Sequence, residues 1–316
     1  MTPPGAHGIV ARVRTLPTLV VGATGVLGRA TTLELLRLGV PVRALVRERT
    51  RAAELARAGA QLVEGDLTDP DSLEIACRGA GQVFAAAHAL AGRGANRSVQ
   101  VDDIGHSALV AAALGAGVRR FVYTSALGAG ADHPVDFFRT KHAIEGVLRA
   151  SGLPFTVLRP SAFMEWHVHR LVGQPLLEHG FTVLIGPAHK PRNFVAVRDV
   201  VPFAVLALTG DTLHGRTLEI GGPDNLSSRD VAVMYRERAR RGRIVHLGTP
   251  LARGLAALVR PLHEGMARVI DLALLDERAA PETWDAPLLL REFPRRLTGV
   301  DEFIDEQVRA WRRRSG

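Results

Sequence analysis

Three glycines, Gly22, Gly25 and Gly28, stand at intervals of three directly after the β-branched run Thr18-Leu19-Val20-Val21. They lead into a segment, 26–38, whose leucines and alanines recur at helical spacing until Gly39 stops it. A second strand pattern, Val42-Arg43-Ala44-Leu45-Val46, follows at once. Strand, glycine turn, helix and parallel strand in that order form a βαβ unit whose first turn faces a ligand. The first glycine allows the sharp turn, the second lets backbone approach an anion, and the third lets helix and strand pack closely. The unpaired N–H groups at the helix start, with its positive dipole end, then hold a pyrophosphate. This reading gathers Gly22, Thr24, Gly25, Val26, Leu27 and Gly28 around a dinucleotide.

The alternation continues. Helical patterns at 50–58, from Asp69-Pro70 onward, at 99–116 and at 136–150 separate strand patterns at 61–64, 82–86, 118–124 and 155–159. Such alternation predicts a doubly wound, parallel Rossmann sheet of the α/β class over 17–160. After Pro160 prolines punctuate shorter segments. Residues 161–316 are therefore expected to form a smaller C-terminal α/β substrate or lid region, interleaved with the Rossmann domain and not independent of it. Residues 1–16, proline- and glycine-bearing without an apolar core, are expected to be a disordered leader, not a signal peptide. From Leu251 to Ile270 the apolar residues predict one long amphipathic helix, read as core or homodimer packing in preference to membrane contact.

The end of the second strand selects the cofactor. An acid there accepts ribose hydroxyls, whereas arginine suits a 2′-phosphate. Here Arg47 follows Val46 and Arg51 lies four residues on, which favours NADP; the adjacent Glu48 leaves NAD open. Asp66 and Leu67, after the third strand, are positioned for the adenine, although Asp66 equally suits a loop turn. Ala86 and Pro160 close the fourth and sixth strands and complete the expected cofactor set. The net charge of +8 raises the question of nucleic acid, but only Lys141 and Lys190 are lysines, leaving 38 arginines among the 40 basic residues. That skew reads as a general arginine preference, with denser runs at 236–243 and 309–314, and nucleic acid is disfavoured. The lone Cys77 cannot form an internal disulfide, and no run of about 20 apolar residues is present to span a membrane, so a cytoplasmic protein is expected.

Several segments taken together carry a family resemblance. The turn at 22–28, the strand 42–47, Gly65-Asp66-Leu67, Phe121-Val122-Tyr123-Thr124-Ser125, the run 151–160, the run 193–200 and Gly221-Gly222-Pro223 resemble the NmrA-like branch of atypical short-chain dehydrogenase/reductases. The likeness runs from about 16 to 233 and fades beyond about 242. It implies an extended Rossmann fold, bound NAD(P) and, in some relatives, quinone reduction; other relatives bind the cofactor as redox sensors. The wider superfamily uses a tyrosine proton donor four positions before a lysine. Here the lysine is Lys141 and the position four before it is Phe137, a ring with no proton to give. The usual hydroxyl near the fifth strand falls at Ser125, or is lost if the match is Ala126. Lys141 is therefore the candidate catalytic residue and a candidate contact to the nicotinamide ribose. Phe137, Phe138, Phe163, Trp166 and His167, with His88, His133 and Met164 near them in the sequence order of strand ends, are expected to wall a cleft for a planar acceptor. His167 and His169 lack a third ligand, so no metal is expected, and no nucleophile elbow supports hydrolysis. The function expected is NADPH-dependent hydride transfer to a quinone or similar small conjugated acceptor, with a non-catalytic NAD(P)-sensing regulator as the alternative.

Overall fold

The computed structural model describes residues 16–90, 92, 99–276, 283–284 and 287–315; the leader expected over 1–16 lies outside them apart from Leu16. The chain opens with β1 (Thr18–Val21), α1 (Val26–Arg37), β2 (Val42–Val46), α2 (Ala53–Arg57), β3 (Gln61–Glu64), α3 (Pro70–Cys77) and β4 (Gln82–Ala85). Then come α4 (His106–Gly115), β5 (Arg120–Thr124), α5 (Asp136–Ser151) and β6 (Phe155–Pro160). These six strands, with Thr217–Ile220 beyond β6, make one seven-stranded sheet in the order β3-β2-β1-β4-β5-β6 and Thr217–Ile220. The neighbouring strands β1 to β6 all pair in parallel.

Burial explains why short strands suffice. Leu19, Val21, Val83, Ala85, Phe121, Tyr123 and Val157 enter one core cluster with Leu73 and Ala76 of α3, Leu109 and Ala113 of α4, and Ile144 and Leu148 of α5. The alternate residues Val20, Phe84, Val122 and Leu158 are outside that cluster yet equally buried. Both faces of the sheet are thus covered, which is what parallel strands with crossover helices require. Helix ends follow local chemistry: Asp69 caps α3, accepting from the Asp71 N–H with Pro70 at the first position, and α5 stops at Gly152 in the left-handed region.

Three expected elements differ. Residues 50–58 begin as a tight turn, Arg49–Ala52, before α2. The segment expected as one helix over 99–116 starts as a wide π-type stretch, Val99–Gly105, ahead of α4. The long helix expected from Leu251 to Ile270 is two helices, Thr249–Val259 and Glu264–Asp276. Pro261 supplies the break, since it lacks an N–H and disfavours helical backbone at the residue before it.

The described residues divide into two compact units, one drawn from 16–89, 99–159 and 200–218, the other from 90, 92, 160–199, 219–276, 283–284 and 287–315. The second unit holds a three-stranded sheet ordered Asn225–Leu226, Arg192–Val195, Ala162–Phe163, and a parallel pair, Phe181–Ile185 with Arg243–Leu247. Its own core gathers Met164, Val168, Leu176, Phe194, Tyr235 and Ile304.

Candidate functional site

In the strand order of the first unit the connections reverse between β1 and β4, and open α/β sheets bind ligands outside the carboxyl ends of strands at such a point. The glycine turn sits there. Gly22 has φ +84°, and a Cβ on it would lie 2.6 Å from the Ala87 nitrogen, in the segment leaving β4. A Cβ on Gly28 would lie 2.2 Å from the Gly22 carbonyl oxygen, so only glycine lets α1 seat this close to β1. Gly25 is the N-cap of α1 and brings no side chain to cap it. Thr24, Gly25 and Val26 are exposed while Leu27 and Gly28 are buried, which leaves the first N–H groups of α1 facing outward. That combination, an uncapped helix start with backbone where side chains would otherwise stand, fits a diphosphate.

Arg47 is exposed at the end of β2. Arg51, on the following turn, is also exposed and pairs with Glu48 at 2.8 Å, so the acid beside Arg47 is already matched to a guanidinium. Asp66 serves its own loop, accepting from the Thr68 N–H and hydroxyl, both at 2.8 Å. Leu67 is core, and Ala86 donates its N–H to the Val21 carbonyl at 2.9 Å, tying the end of β4 to β1. Pro160 is buried at the end of β6.

Lys141 is among the most buried side chains of the protein. From α5 its Nζ donates to the Thr124 carbonyl at the end of β5, at 3.1 Å, and lies 3.8 Å from Asp102 Oδ1. Asp102 is fully buried; both its oxygens accept from the Ala89 N–H, at 3.3 and 3.1 Å. The ammonium also lies 4.9 Å from the Tyr123 ring centre and 5.5 Å from that of Phe137. Burial pushes the Lys141 pKa down, against the opposing pull of Asp102. His106, also fully buried, donates from Nδ1 to the Val101 carbonyl at 2.8 Å, leaving Nε2 without a partner, and packs edge-on against Tyr123 at 5.3 Å. Burial, then the charge of Lys141, lowers the His106 pKa to about 4, so the ring is neutral at neutral pH. The Tyr123 hydroxyl likewise lacks a partner, and burial raises its pKa.

Phe137, one turn before Lys141 on the same helix face, is buried and meets Phe138 edge-on at 5.4 Å; His133 lies over Phe138 at 4.1 Å and His88 is 6.2 Å from Phe137. These rings and Lys141 share the first unit. Phe163, Trp166 and His167 belong to the second unit, half-buried on Ala162–Phe163 and the helical stretch Met164–Gly173. His169 there accepts from or donates to the Tyr235 hydroxyl at 3.0 Å. The hydroxyl of Ser125 is committed to Glu145 at 2.6 Å, a buried carboxylate also bound by Arg149 and Arg159. Sequence reasoning missed Asp102, His106 and Tyr123. The only signal for Asp102 and His106 was two acids and a histidine at the head of an otherwise apolar helical segment, and Tyr123 read only as part of a buried strand.

The model of the NmrA-like family matches residues 17–245. The NAD(P)H azoreductase of Xenophilus azovorans is 32% identical over 215 residues, 68% of this chain and 71% of that one. The photosystem II assembly factor Ycf39 of Trieres chinensis is 29% identical over 215 residues, 67% of this chain and 66% of that one. Among solved structures, the Escherichia coli NADPH-dependent quinone oxidoreductase QOR2 in complex with NADPH superposes with a TM-score of 0.73 at 21% identity, covering 92% of this chain and 99% of that chain.

Proposed function

The chain belongs to the NmrA-like family, and from that premise we propose that it is a reductase using NADPH, passing hydride to a quinone or another small conjugated acceptor. The observation that carries this reading is the uncapped glycine turn at the β1/β4 switch point, in the same unit as a buried lysine at the end of β5. The likeness to an azoreductase and to a quinone reductase supports the acceptor class. Gly22, Thr24, Gly25, Val26, Leu27 and Gly28 would hold the pyrophosphate, Arg47 and Arg51 the 2′-phosphate, and Asp66, Leu67, Ala86 and Pro160 the remaining edge. When bound, the reduced nicotinamide supplies hydride.

A quinone takes one hydride and one proton to become the hydroquinone. Phe137 cannot give that proton, so it comes from Lys141 or from solvent. Burial lowers the Lys141 pKa, which makes its ammonium a stronger acid than an exposed lysine. Phe138 and His133, their rings tilted by 34°, offer an aromatic edge for a conjugated acceptor, with Phe137 buried edge-on behind Phe138.

Loss of reduced-nicotinamide absorbance with a panel of quinones and azo compounds tests the reading. Turnover with NADPH exceeding that with NADH is expected, and no turnover above buffer with any acceptor rejects it. Arg47→Asp should weaken NADPH about 10- to 100-fold while leaving NADH within a few-fold, the effect of replacing a charge-assisted contact by repulsion. Equal losses for both cofactors would remove Arg47 from the 2′-phosphate. A second reading, a regulator that binds NADP without turning it over, draws on Phe137 and on the likeness to an assembly factor. Tight NADPH binding with no acceptor reduced would select it.

A further inference from the structure

Part of the second unit presents apolar side chains to solvent. In the parallel pair Phe181–Ile185 and Arg243–Leu247 the register sets Phe181 beside Arg243, Val183 beside Val245 and Ile185 beside Leu247. Side chains alternate across a strand, so these six share one face. At one end Ile185 and Leu247 pack against Ala252, Ala256 and Ile270 of the two following helices. At the other, Phe181, Val183 and Val245 are 46%, 47% and 46% exposed. The helix Thr249–Val259 extends the apolar surface: Leu251, Leu255 and Leu258 fall at i, i+4 and i+7, one stripe, and are exposed. Leu262 in the turn and Met266 in the next helix are exposed as well. Exposed large apolar side chains this numerous in one segment of a fold mark a surface that is covered by something else.

Charge identifies what covers it. Between Arg236 and Met266 the chain carries seven arginines against two acids, Glu237 and Glu264. Arg238 is held by Asp301 and Asp305, Arg260 by Asp271, and Arg241 stacks on Trp311 at 5.5 Å, while Arg240, Arg243 and Arg253 are exposed, Arg253 on the side of its helix away from the leucine stripe. Arg243 lies on the same strand face as Phe181 and Val245. A second copy docked through this surface about a two-fold axis would bring two arginine-rich surfaces together. An anionic bilayer satisfies both features: the acyl boundary takes Phe181 and the leucines, and the headgroup phosphates take the guanidinium groups. Among the described residues no helix is long and apolar enough to cross a membrane, so the contact is one that lies in the interface plane.

We propose that this face, the exposed side of the Phe181–Ile185/Arg243–Leu247 pair with the Leu251, Leu255, Leu258 and Leu262 ridge, docks peripherally on an anionic lipid bilayer. The proposal is independent of the reductase reading, since none of these residues belongs to the cofactor or acceptor set. Flotation of the full chain with vesicles of phosphatidylcholine, with and without about 30 mol% phosphatidylglycerol, tests it. Partitioning should rise about tenfold or more with the anionic lipid and collapse in about 0.5 M salt, where the Debye length is only a few ångströms. Leu258→Glu with Leu262→Glu, both at exposed positions and so compatible with folding, should lower it about tenfold on anionic vesicles. Arg243→Glu, the guanidinium on the strand face itself, should weaken the preference for the anionic lipid several-fold. Absent or equal flotation with both vesicle types at low salt overturns the proposal. So does a concentration-dependent doubling of mass in light scattering that Leu258→Glu abolishes, since that gives the face to a second copy.

Discussion

An ammonium group enclosed at the end of β5 loses its water, and only a neighbouring negative charge offsets that loss; for Lys141 the charge is Asp102, 3.8 Å away. Asp102→Asn separates charge from shape. The amide oxygen can still accept from the Ala89 N–H, while the counter-charge disappears. The expected result is a loss of about 3 kcal/mol in urea unfolding, the usual consequence of stranding one member of a buried ion pair. A second expectation is specific to the charge. Asp102 is the leading influence that raises a Lys141 pKa already depressed by burial, so its removal lowers that pKa further, and the limb of the pH–rate profile owed to Lys141 moves to lower pH. Unchanged stability with an unmoved limb would end the assignment. Lys141 itself was legible in the sequence, because a lysine kept at the motif position of an arginine-preferring chain is conspicuous. Asp102, His106 and Tyr123 were not, because their meaning arises only when the head of α4, the end of β5 and the middle of α5 converge.

At the scale of elements the glycine turn couples β1 to α1. Gly28→Ala would place a methyl 2.2 Å from the Gly22 carbonyl oxygen, backbone that cannot yield as a side chain tip would. Helix α1 must back away from β1, with a cost of about 1–3 kcal/mol in unfolding free energy, typical of overpacking. The same displacement moves the outward N–H groups off the pyrophosphate, so NADPH affinity measured by fluorescence titration should fall by more than the stability loss alone explains; wild-type affinity in a folded Gly28→Ala protein would detach this turn from the cofactor. The strands β1 to β6 were readable because short apolar runs alternate with helical patterns along the chain, and 42–46 and 61–64 coincide with the structure residue for residue. Periodicity alone was misled at Leu251 to Ile270, where the same apolar spacing serves two helices folded at Pro261. It was equally blind to the wide turn at Val99–Gly105, where Gly105 approaches the Leu67 carbonyl so closely that an added Cβ would lie 2.7 Å away. Of the aromatic residues expected to wall one cleft, Phe137 and Phe138 lie in one unit and Phe163 and Trp166 in the other, a division that strand spacing does not encode.

For the molecule as a whole, the buried histidine converts acidity into instability. His106 titrates at about 4 when folded but near its ordinary value of 6.5 when exposed by unfolding. Between these values the unfolded chain binds the proton and the native state does not, so stability is full above about pH 6.5 and is lost as the pH falls toward 4. At about pH 5 this single ring should remove about 2 kcal/mol relative to neutral pH. His106→Asn can keep the hydrogen bond to the Val101 carbonyl through its amide and has nothing to titrate. The variant is expected to be less stable at neutral pH because a smaller side chain underfills the site, yet to lose about 2 kcal/mol less than the wild type on acidification to about pH 5. The probe matters, because Trp166, Trp284 and Trp311 all lie in the second unit while His106 lies in the first. Tryptophan emission follows the second unit, and far-ultraviolet circular dichroism, which sees the helices of both units and so includes α1 to α5, is the observable to use. An identical acid-induced drop in the wild type and His106→Asn by that measure would move the proton uptake to another group.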